Sequence, residues 1–445
     1  MLNTQDNELL CHVEGNAPMG AMMRRHWIPV CAIEEVAEPG CDPVKIRLFG
    51  EDLVVFRDAS GTLGLVEELC PHRRASFVYG RNEGDGLRCL YHGWKIDVTG
   101  TIREMPSEPS DCKMVGKLKS KAYEVREGAG LVWTYMGPAE HKPAFDPLAF
   151  TANRDARVSI AKVVVNANWA QVLEGAIDSA HSSSLHSDDN KVGSVAQGAT
   201  VELIAGDNRP YVTVRPSADK APRIEVQLTD YGMRYVALRH PIVDADTTDY
   251  ARVTVFVAPF TVFVPPNARY QSVQYVIPMD NHRTMFYFIA WTDDTAENKG
   301  IPQDVWRRRM GLEMGVDLEP DFTAKRTLSN RHLQDRKAIR AGDFSGIRGI
   351  AAQDIAMWES MGPITDRSSE TLGTSDTAIA QFRRLMVRSA KAFQDGAAVV
   401  GSAPSKTPLS AIRAYEGIIR KGGDWTSLGV AAAPARAGAA QAAPA

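Results

Sequence analysis

Two short cysteine–histidine clusters constrain the fold of this 445-residue chain more than any other feature. The first is Cys70-Pro-His72 and the second is Cys89-Leu-Tyr-His92, with sixteen residues between His72 and Cys89. Each cluster offers one thiolate and one imidazole, so we expect two separate loops to meet at one metal centre. Short apolar runs broken by turn residues surround the clusters, which predicts a small all-β domain over residues 46–145.

Zinc and a [2Fe–2S] cluster compete for such a ligand set. Zinc binds two thiolates and two imidazoles tetrahedrally, but zinc fingers group cysteine with cysteine and histidine with histidine. A Rieske centre places two sulfurs on one iron and two nitrogens on the other, and each loop contributes one ligand of each kind. The order of ligands in this chain favours the iron–sulfur cluster.

The pattern C-x-H-x16-C-x2-H, followed by Gly-Trp, closely resembles the Rieske motif of bacterial ring-hydroxylating oxygenases. The resemblance implies that the cluster is bound by Cys70, His72, Cys89 and His92, with Trp94 beside the cofactor. Histidine ligands raise the reduction potential above that of an all-cysteine cluster, so the centre can accept electrons from a reduced ferredoxin-type or flavin donor.

A second group of metal-ligand residues lies downstream, in a segment (168–186) that begins with helical spacing of its apolar residues. Asp178 and His181 are three residues apart and share a helical face. His186 lies about 140° further round an ideal helix, so both histidines reach one ion only if the helix distorts. Serines 182–184 favour local hydrogen bonds, and we expect the helix to distort or end there, which would bring His186 round. Two imidazoles and one carboxylate form the facial triad of non-haem Fe(II) oxygenases.

The pattern D-x2-H-x4-H after a Rieske motif resembles the catalytic signature of Rieske non-haem iron oxygenase large subunits. Spacing alone leaves the third ligand open among the downstream carboxylates Asp321, Asp335, Asp343, Asp354, Glu359, Asp366 and Glu370. Residues 351–376 resemble the block that carries this ligand in the phthalate-dioxygenase-like group. The matching residue is Asp354, so the resemblance implies an Fe(II) site of His181, His186 and Asp354.

Asp178 has a different role in the resembled family, where the corresponding residue bridges the two metal centres of neighbouring subunits. Carried over, Asp178 would link His181 to the cluster ligand His92 of another subunit, fix both imidazoles and give electrons a hydrogen-bonded path. Such a bridge requires head-to-tail contacts, which implies a homotrimer or a hexamer of stacked trimers.

The resemblance covers residues 10–425 and is closest to the phthalate dioxygenase group, on "NELLCHV", "LEGAIDSAHSSSLH", "VAPFTVFVPPN" and "QDIAMWESMGPI". It implies an oxygenase component that cis-dihydroxylates a phthalate-type aromatic carboxylate with O2. The resemblance also implies a separate flavin and iron–sulfur reductase that delivers electrons from NADH, and the absence of a G-x-G-x-x-G after a strand in this chain agrees with an external reductase. A monooxygenase or O-demethylase remains open, as does dioxygenation of isophthalate, chlorobenzoates or phenoxybenzoates.

Guanidinium groups bind carboxylates in a bidentate manner, so arginines in the strand-rich catalytic segment are candidate substrate ligands. The candidates are Arg209, Arg215, Arg223, Arg234, Arg239 and Arg252. The use of sheet arginines by the resembled group favours Arg215 and Arg252, with Arg223 next. Ser179 and Ser182, beside the predicted iron ligands, are weaker candidates.

Together these patterns predict an α+β protein with an N-terminal all-β Rieske domain and, from the resemblance, a helix-grip catalytic domain. The predicted divisions are a lead-in (1–45), the Rieske domain (46–145), the catalytic domain (146–430) and a disordered Ala/Pro tail (431–445), with a helix over 376–395. The net charge of −3 gives no indication of nucleic acid as a partner. Without a long apolar run or a signal-like N-terminus, we expect a cytoplasmic protein that does not enter the membrane.

A non-catalytic Rieske electron carrier or a zinc-stabilised binding protein is the alternative of a different class. The histidine pair at 181 and 186 and the length of the chain argue against it.

Overall fold

The computed structural model of the chain describes residues 2–145, 157–193, 199–202, 211–265, 270–292, 300–402 and 407–430. The predicted disordered tail and Arg209 lie outside the described residues. Within these ranges, no helix combines the length and the hydrophobicity that crossing a bilayer requires.

Two antiparallel sheets form the N-terminal part of the molecule. The larger has the strand order β1-β10-β9-β4-β3-β2. Its strands are β1 (Trp27–Ala32), β2 (Val44–Leu48), β3 (Glu51–Arg57), β4 (Leu63–Glu67), β9 (Ala122–Gly128) and β10 (Leu131–Tyr135). The smaller contains β5 (Arg81–Glu83), β6 (Gly86–Arg88), β7 (Lys95–Asp97) and β8 (Ile102–Glu104) in sequential order. Cys70 and Cys89 belong to a separate small hydrophobic core between these sheets, together with Phe56, Phe77 and Trp94.

The C-terminal part is built on an eight-stranded antiparallel sheet of order β11-β20-β19-β18-β17-β16-β15, with β21 paired to β17. Its strands are β11 (Arg157–Val165), β15 (Arg223–Leu228), β16 (Gly232–Arg239), β17 (Thr248–Val257), β18 (Thr261–Val264), β19 (Gln271–Pro278), β20 (Thr284–Thr292) and β21 (Tyr415–Arg420). A small three-stranded sheet comprises β12 (Asn190–Val192), β13 (Ala199–Glu202) and β14 (Tyr211–Arg215). In the eight-stranded sheet, β17 and β20 are buried along nearly their whole length, which reflects helices and the N-terminal part packing on this sheet.

Seven α-helices flank these sheets in the described part of the chain: α1 (Thr4–Cys11), α2 (Pro18–Met23), α3 (Trp169–Ala176), α4 (Gln303–Met310), α5 (Arg336–Arg340), α6 (Ile350–Ser360) and α7 (Thr377–Gln394). The sequence prediction of a helix over 376–395 is confirmed by α7. Its buried residues Ala378, Phe382, Met386 and Ala390 recur every four positions and form the apolar face.

The two parts share one hydrophobic core. Backbone hydrogen bonds from Phe49 and Gly50 to the carbonyls of Pro278 and Met279 (3.0 and 2.7 Å) connect the end of β2 with the end of β19. The Tyr287 hydroxyl in β20 donates to the Val30 carbonyl in β1 at 3.0 Å. The N-terminal part is therefore fixed directly on the eight-stranded sheet.

Candidate active site and electron-transfer centre

The two cysteine–histidine loops have the same backbone hydrogen-bond pattern. In each, the N–H of the fourth residue after the cysteine donates to the cysteine carbonyl, at 2.9 Å from Arg74 and at 3.0 Å from Gly93. The cysteine N–H donates in turn to the carbonyl of the fifth residue, at 2.8 Å for both Cys70 and Cys89. Arg74 and Gly93 both have positive φ, 60° and 76°. At position 93 a Cβ atom would also lie 2.6 Å from the Pro106 ring, so this turn requires glycine.

The four predicted cluster ligands lie together at the tips of these loops. The rings of His72 and His92 have centroids 4.4 Å apart, and both cysteines are buried. The Nδ1 atom of His72 is buried without a hydrogen-bond partner among the described residues, an arrangement that suits a metal ligand. Burial raises the pKa of the Cys70 thiol to about 11, although backbone N–H groups of His72 and Arg73 donate to its sulfur. Bound iron is what makes such a buried cysteine a thiolate, so the residues fit the cluster.

Trp94 fixes the orientation of the first histidine. Its indole is stacked on His72 with ring centroids 4.5 Å apart and planes 7° from parallel, and its Nε1 donates to the Ser107 hydroxyl at 3.1 Å. The indole is 5% exposed, whereas Leu90 and Tyr91 beside His92 are mostly exposed. The histidine side of the centre therefore lies at the protein surface.

The segment that carries Asp178 and His181 is less helical than the sequence predicts. Helix α3 already ends at Ala176, and a 3₁₀ turn follows over His181–Ser183, so the expectation of a helix reaching the serines is wrong. The Asp178 carboxylate accepts from the Ala180 N–H at 2.7 Å, and this local bond replaces helical hydrogen bonding. The tight turn, rather than a shared helical face, places Asp178 beside His181.

Helix α6 packs so closely on α3 that it delivers Asp354 to the histidines. A Cβ atom at Gly175 would lie 2.0 Å from the indole Nε1 of Trp358, so only glycine allows this approach. The Asp354 Oδ1 atom lies 3.0 Å from Nε2 of His186 and 3.5 Å from Nε2 of His181. The two Nε2 atoms are 3.2 Å apart. One divalent ion with bonds of about 2.1 Å can contact all three atoms at this spacing.

The second ring nitrogen of each histidine, Nδ1, also has a side-chain partner. His181 Nδ1 lies 3.3 Å from Asp178 Oδ2, and His186 Nδ1 lies 2.6 Å from Gln353 Oε1. Burial opposes protonation of His181, but Asp178 and Asp354 outweigh it and raise its pKa. This attraction for positive charge at the ligand atoms fits a bound metal ion. Gln353 was not identified from the sequence, although it directly precedes Asp354.

The carboxylates that spacing left open as third ligands have other partners. Asp321, Asp335 and Asp366 bond to nearby backbone N–H groups, as Asp343 also does. Glu359 accepts from the Asn166 N–H, and Glu370 pairs with Arg383. In the described part of the chain, Asp354 is the carboxylate that shares a potential metal site with the two histidines.

The three ligands line the wall of an open cavity. Apolar side chains, among them Phe288, Trp306 and Trp358, form part of its wall. Three buried arginines also line it, Arg215, Arg252 and Arg309. The sequence analysis missed Arg309, which lies on α4 and donates to the Thr213 hydroxyl at 2.7 Å. A cavity with aromatic walls and several guanidinium groups suits an aromatic anion.

Arg215 is well placed beside the metal-site loop. It donates to the Ser182 hydroxyl at 2.9 Å, and Ser182 follows His181 in the chain. Burial lowers the pKa of Arg215 to about 9, and the nearby Arg252 adds to the effect. Ser179 and Ser182 both line the cavity.

The remaining candidate arginines lie elsewhere. Arg223 is not among the cavity-lining residues, because it lies on the edge strand β15 with a side chain 58% exposed, near Glu225 and Asp249. The prediction of Arg223 as a substrate ligand therefore has no support in the structure. Arg234 bonds to the backbone carbonyl of Leu428, and Arg239 donates to the Ser179 carbonyl at 2.8 Å.

An electron-storing two-loop centre and an open two-histidine, one-carboxylate site in the same chain are characteristic of an iron-dependent oxygenase. Residues 26–123 match the family model of the Rieske [2Fe–2S] domain, and residues 134–442 match the LigXa C-terminal domain like family. The second match alone covers more than half of the chain, which therefore belongs to the Rieske non-haem iron oxygenases.

Two curated relatives align along most of their length. The oxygenase subunit of phthalate 4,5-dioxygenase from Pseudomonas putida is 51% identical over 96% of this chain and 94% of its own. The oxygenase subunit of 3-chlorobenzoate-3,4-dioxygenase from Comamonas testosteroni is 34% identical over 88% of this chain and 90% of its own. The solved structure of NdmA from Pseudomonas putida CBB5 shares the fold, with a TM-score of 0.55 and 17% identity. The match covers 85% of this chain and 94% of the NdmA chain.

These findings confirm the predicted family and fold class, an N-terminal Rieske domain followed by an α+β catalytic domain. They also confirm the two predicted cofactors, a Rieske [2Fe–2S] cluster and catalytic Fe(II). The protein is a Rieske non-haem iron dioxygenase.

Proposed function

We propose that this protein is the oxygenase component of a dioxygenase that cis-dihydroxylates a phthalate-type aromatic carboxylate. The observation that carries the proposal is the aromatic-walled cavity in which Arg215 and Arg252 lie beside the three candidate iron ligands. The named substrates of the two curated relatives, phthalate and 3-chlorobenzoate, support the same substrate class. When bound, the Fe(II) ion and the cluster supply O2 activation and stored electrons.

The proposed iron ligands are His181, His186 and Asp354. Asp178 and Gln353 orient the two imidazoles from their far sides, since the Nδ1–H group of each ring points to an acceptor. The proposed cluster ligands are Cys70, His72, Cys89 and His92, with Trp94 stacked on His72.

Arg215 and Arg252 have the proposed role of binding the substrate carboxylate groups, with Ser179 and Ser182 at the same wall. Arg215 is the stronger candidate because it donates to a neutral hydroxyl, that of Ser182, so its charge is available to an anion. Packing of the ring against Phe288 and Trp306 would exclude water from its other faces.

Electron transfer between subunits is part of the proposal. Within one chain Asp178 bonds to Ala180 and His181, and its side chain keeps 20% exposure. His92 is likewise partly exposed at the surface of the cluster loops. A head-to-tail homotrimer, alone or stacked as a hexamer, brings His92 of one subunit to Asp178 of the next.

A separate NADH-dependent flavin and iron–sulfur reductase completes the proposed system. The curated relatives are named as oxygenase subunits, which supports a function divided among several proteins. A cytoplasmic location is proposed with it, in keeping with six free cysteines.

Coupled turnover tests the substrate class. The purified protein with a phthalate-type reductase is assayed for NADH oxidation, O2 uptake and product with phthalate, isophthalate, benzoate and chlorobenzoates. We expect one of these carboxylates to give coupled consumption and a cis-dihydrodiol. Uncoupled or absent O2 uptake with every aromatic carboxylate contradicts the substrate class, and a monohydroxylated or demethylated product contradicts dioxygenation.

Metal analysis tests the ligand assignment separately. We expect about three irons per chain in the wild-type protein, two in the cluster and one in the mononuclear site. His181→Ala should keep the red-brown Rieske absorbance and lose oxygenation, whereas a colourless variant contradicts the two-site assignment.

A further inference from the structure

One cavity arginine is paired with a buried carboxylate. The Arg252 Nη1 atom lies 2.9 Å from Oε2 of Glu416, and the two side chains are 4% and 2% exposed. Arg215, which lines the same cavity, donates to the neutral Ser182 hydroxyl at 2.9 Å. Of these two arginines, Arg252 is therefore the one that is directly paired with the Glu416 carboxylate.

Strand pairing places Glu416 at this position. Strand β21 runs antiparallel to β17 with Arg252 directly opposite Glu416. The Tyr250 hydroxyl, two residues before Arg252 on the same face of β17, bonds to the other carboxylate oxygen. Glu416 itself is not among the cavity-lining residues. It is held behind Arg252 by one partner for each oxygen.

We propose that Glu416 is a positioning residue that determines which substrate charge the cavity accepts, by fixing Arg252 at the cavity wall and offsetting its positive charge. This inference rests on the proposed function, because it takes the substrate to be an aromatic carboxylate. A negative charge behind Arg252 repels every carboxylate bound in front of it, and the low dielectric of the buried site strengthens the effect. A dianion experiences this repulsion through two charges and a monoanion through one. Glu416 therefore reduces the factor by which the cavity binds dicarboxylates more tightly than monocarboxylates.

Glu416 also stabilises the substrate-free cavity. Several buried guanidinium groups repel one another, and an unpaired buried charge is strongly destabilising. Burial opposes the charge of Arg252, but Glu416 outweighs it and raises the pKa of that guanidinium.

Calorimetric binding to the anaerobic holoenzyme, loaded with cluster and Fe(II), tests the inference. The ligands are phthalate, a dianion at pH 7.5, and benzoate, a monoanion with the same ring. Glu416→Gln keeps the side-chain size and an acceptor for Arg252 but removes the charge. We expect the ratio of the benzoate Kd to the phthalate Kd to rise at least fivefold over that of the wild type.

Tyr250→Phe should move the same ratio in the opposite direction, by at least twofold. It removes the hydroxyl that shares the Glu416 charge, so the carboxylate repels the dianion more strongly. This variant also provides a test if Glu416→Gln fails to fold. The matched control is Glu35→Gln, which breaks the buried pair of Glu35 with Lys162 (2.6 Å, side chains 10% and 3% exposed) and should leave the ratio unchanged.

The outcomes distinguish this inference from the proposed function. A wild-type protein that binds neither carboxylate overturns both. Normal wild-type binding with an unchanged or lower ratio in Glu416→Gln, or an unchanged or increased ratio in Tyr250→Phe, overturns the role of Glu416 alone.

Discussion

His186 Nδ1 lies 2.6 Å from the side-chain oxygen of Gln353, the residue that immediately precedes Asp354 in helix α6. One turn of one helix thus carries a candidate metal ligand and the group that orients another. The Gln353 amide nitrogen donates to the Ile347 carbonyl at 2.9 Å and to Asp189 at 3.1 Å, so its own orientation is fixed. His186 has a neutral amide partner, whereas His181 has the carboxylate of Asp178.

Gln353→Leu should therefore weaken Fe(II) binding without disturbing the cluster. Loss of the partner that orients a metal-bound histidine costs about 10–100-fold in metal affinity. Competition with a chelator, followed as mononuclear iron per Rieske absorbance, measures the change. Gln303→Leu is the control, because that glutamine bonds to the Ile160 backbone instead. Equal iron retention in the two variants contradicts a role for Gln353 at the metal site.

Asp178→Asn should retain both metal centres and lose nearly all turnover, because the amide cannot act as a charged bridge between two imidazoles. Iron content and Rieske absorbance check the first part, and product formation with reductase checks the second. Asp219→Asn is a matched control, since Asp219 pairs with His240 (2.8 Å) at the surface, outside the cavity lining. Normal coupled turnover of Asp178→Asn would eliminate the electron-transfer role.

Trp94→Leu should destabilise the cluster, because it removes the ring stacked on His72 and leaves space in the small core. Truncating a buried aromatic side chain to alanine costs about 3–5 kcal/mol, and the smaller truncation to leucine should cost part of this. Trp94→Phe keeps an aromatic ring against His72 and should destabilise the cluster less than Trp94→Leu does. The rate at which Rieske absorbance bleaches at elevated temperature compares the two, and identical bleaching shows that stacking contributes nothing.

Glu174→Gln should destabilise the folded protein at neutral pH. Glu174 lies on α3 and accepts from Arg367 and Arg383, each at 2.8 Å. Burial opposes its ionisation, but the two arginines outweigh burial and lower the pKa of Glu174. Removing one member of a buried charge network costs about 3–5 kcal/mol.

The same lowered pKa predicts how this effect depends on pH. The stabilisation is fully present above the unfolded-state value of about 4.3 and is lost as pH falls through the lower folded-state pKa. Urea denaturation measures the free energy of unfolding of the wild type and of Glu174→Gln. The difference between these two free energies should be constant from about pH 8 to 5.5 and should become smaller near pH 4. Glu124→Gln, at an exposed pair with Lys142, is the control and should cost below about 1 kcal/mol. A difference that widens on acidification contradicts this account.

Local patterns carried much of the prediction. The cysteine–histidine spacing identifies the two loops because each turn is closed by hydrogen bonds within a few residues. Helix α7 was predicted because its buried positions follow the helical period. Asp354 needed the family resemblance, since the chain distance from His186 leaves seven carboxylates equivalent until the fold brings α6 against α3.

The sequence by itself determined the ligand types, their loop spacing and the family, because these depend on residues close together in the chain. Only the tertiary structure decided that α3 ends at Ala176, that Gln353 bonds to His186 and that Arg252 faces Glu416. It also decided that Arg215 is buried and that Arg223 is exposed, although both lie on strands. The physical reason is that contacts between segments distant in the chain set strand register, helix packing and burial. Among several side chains of the same chemical type, these contacts determine which one lies at the site.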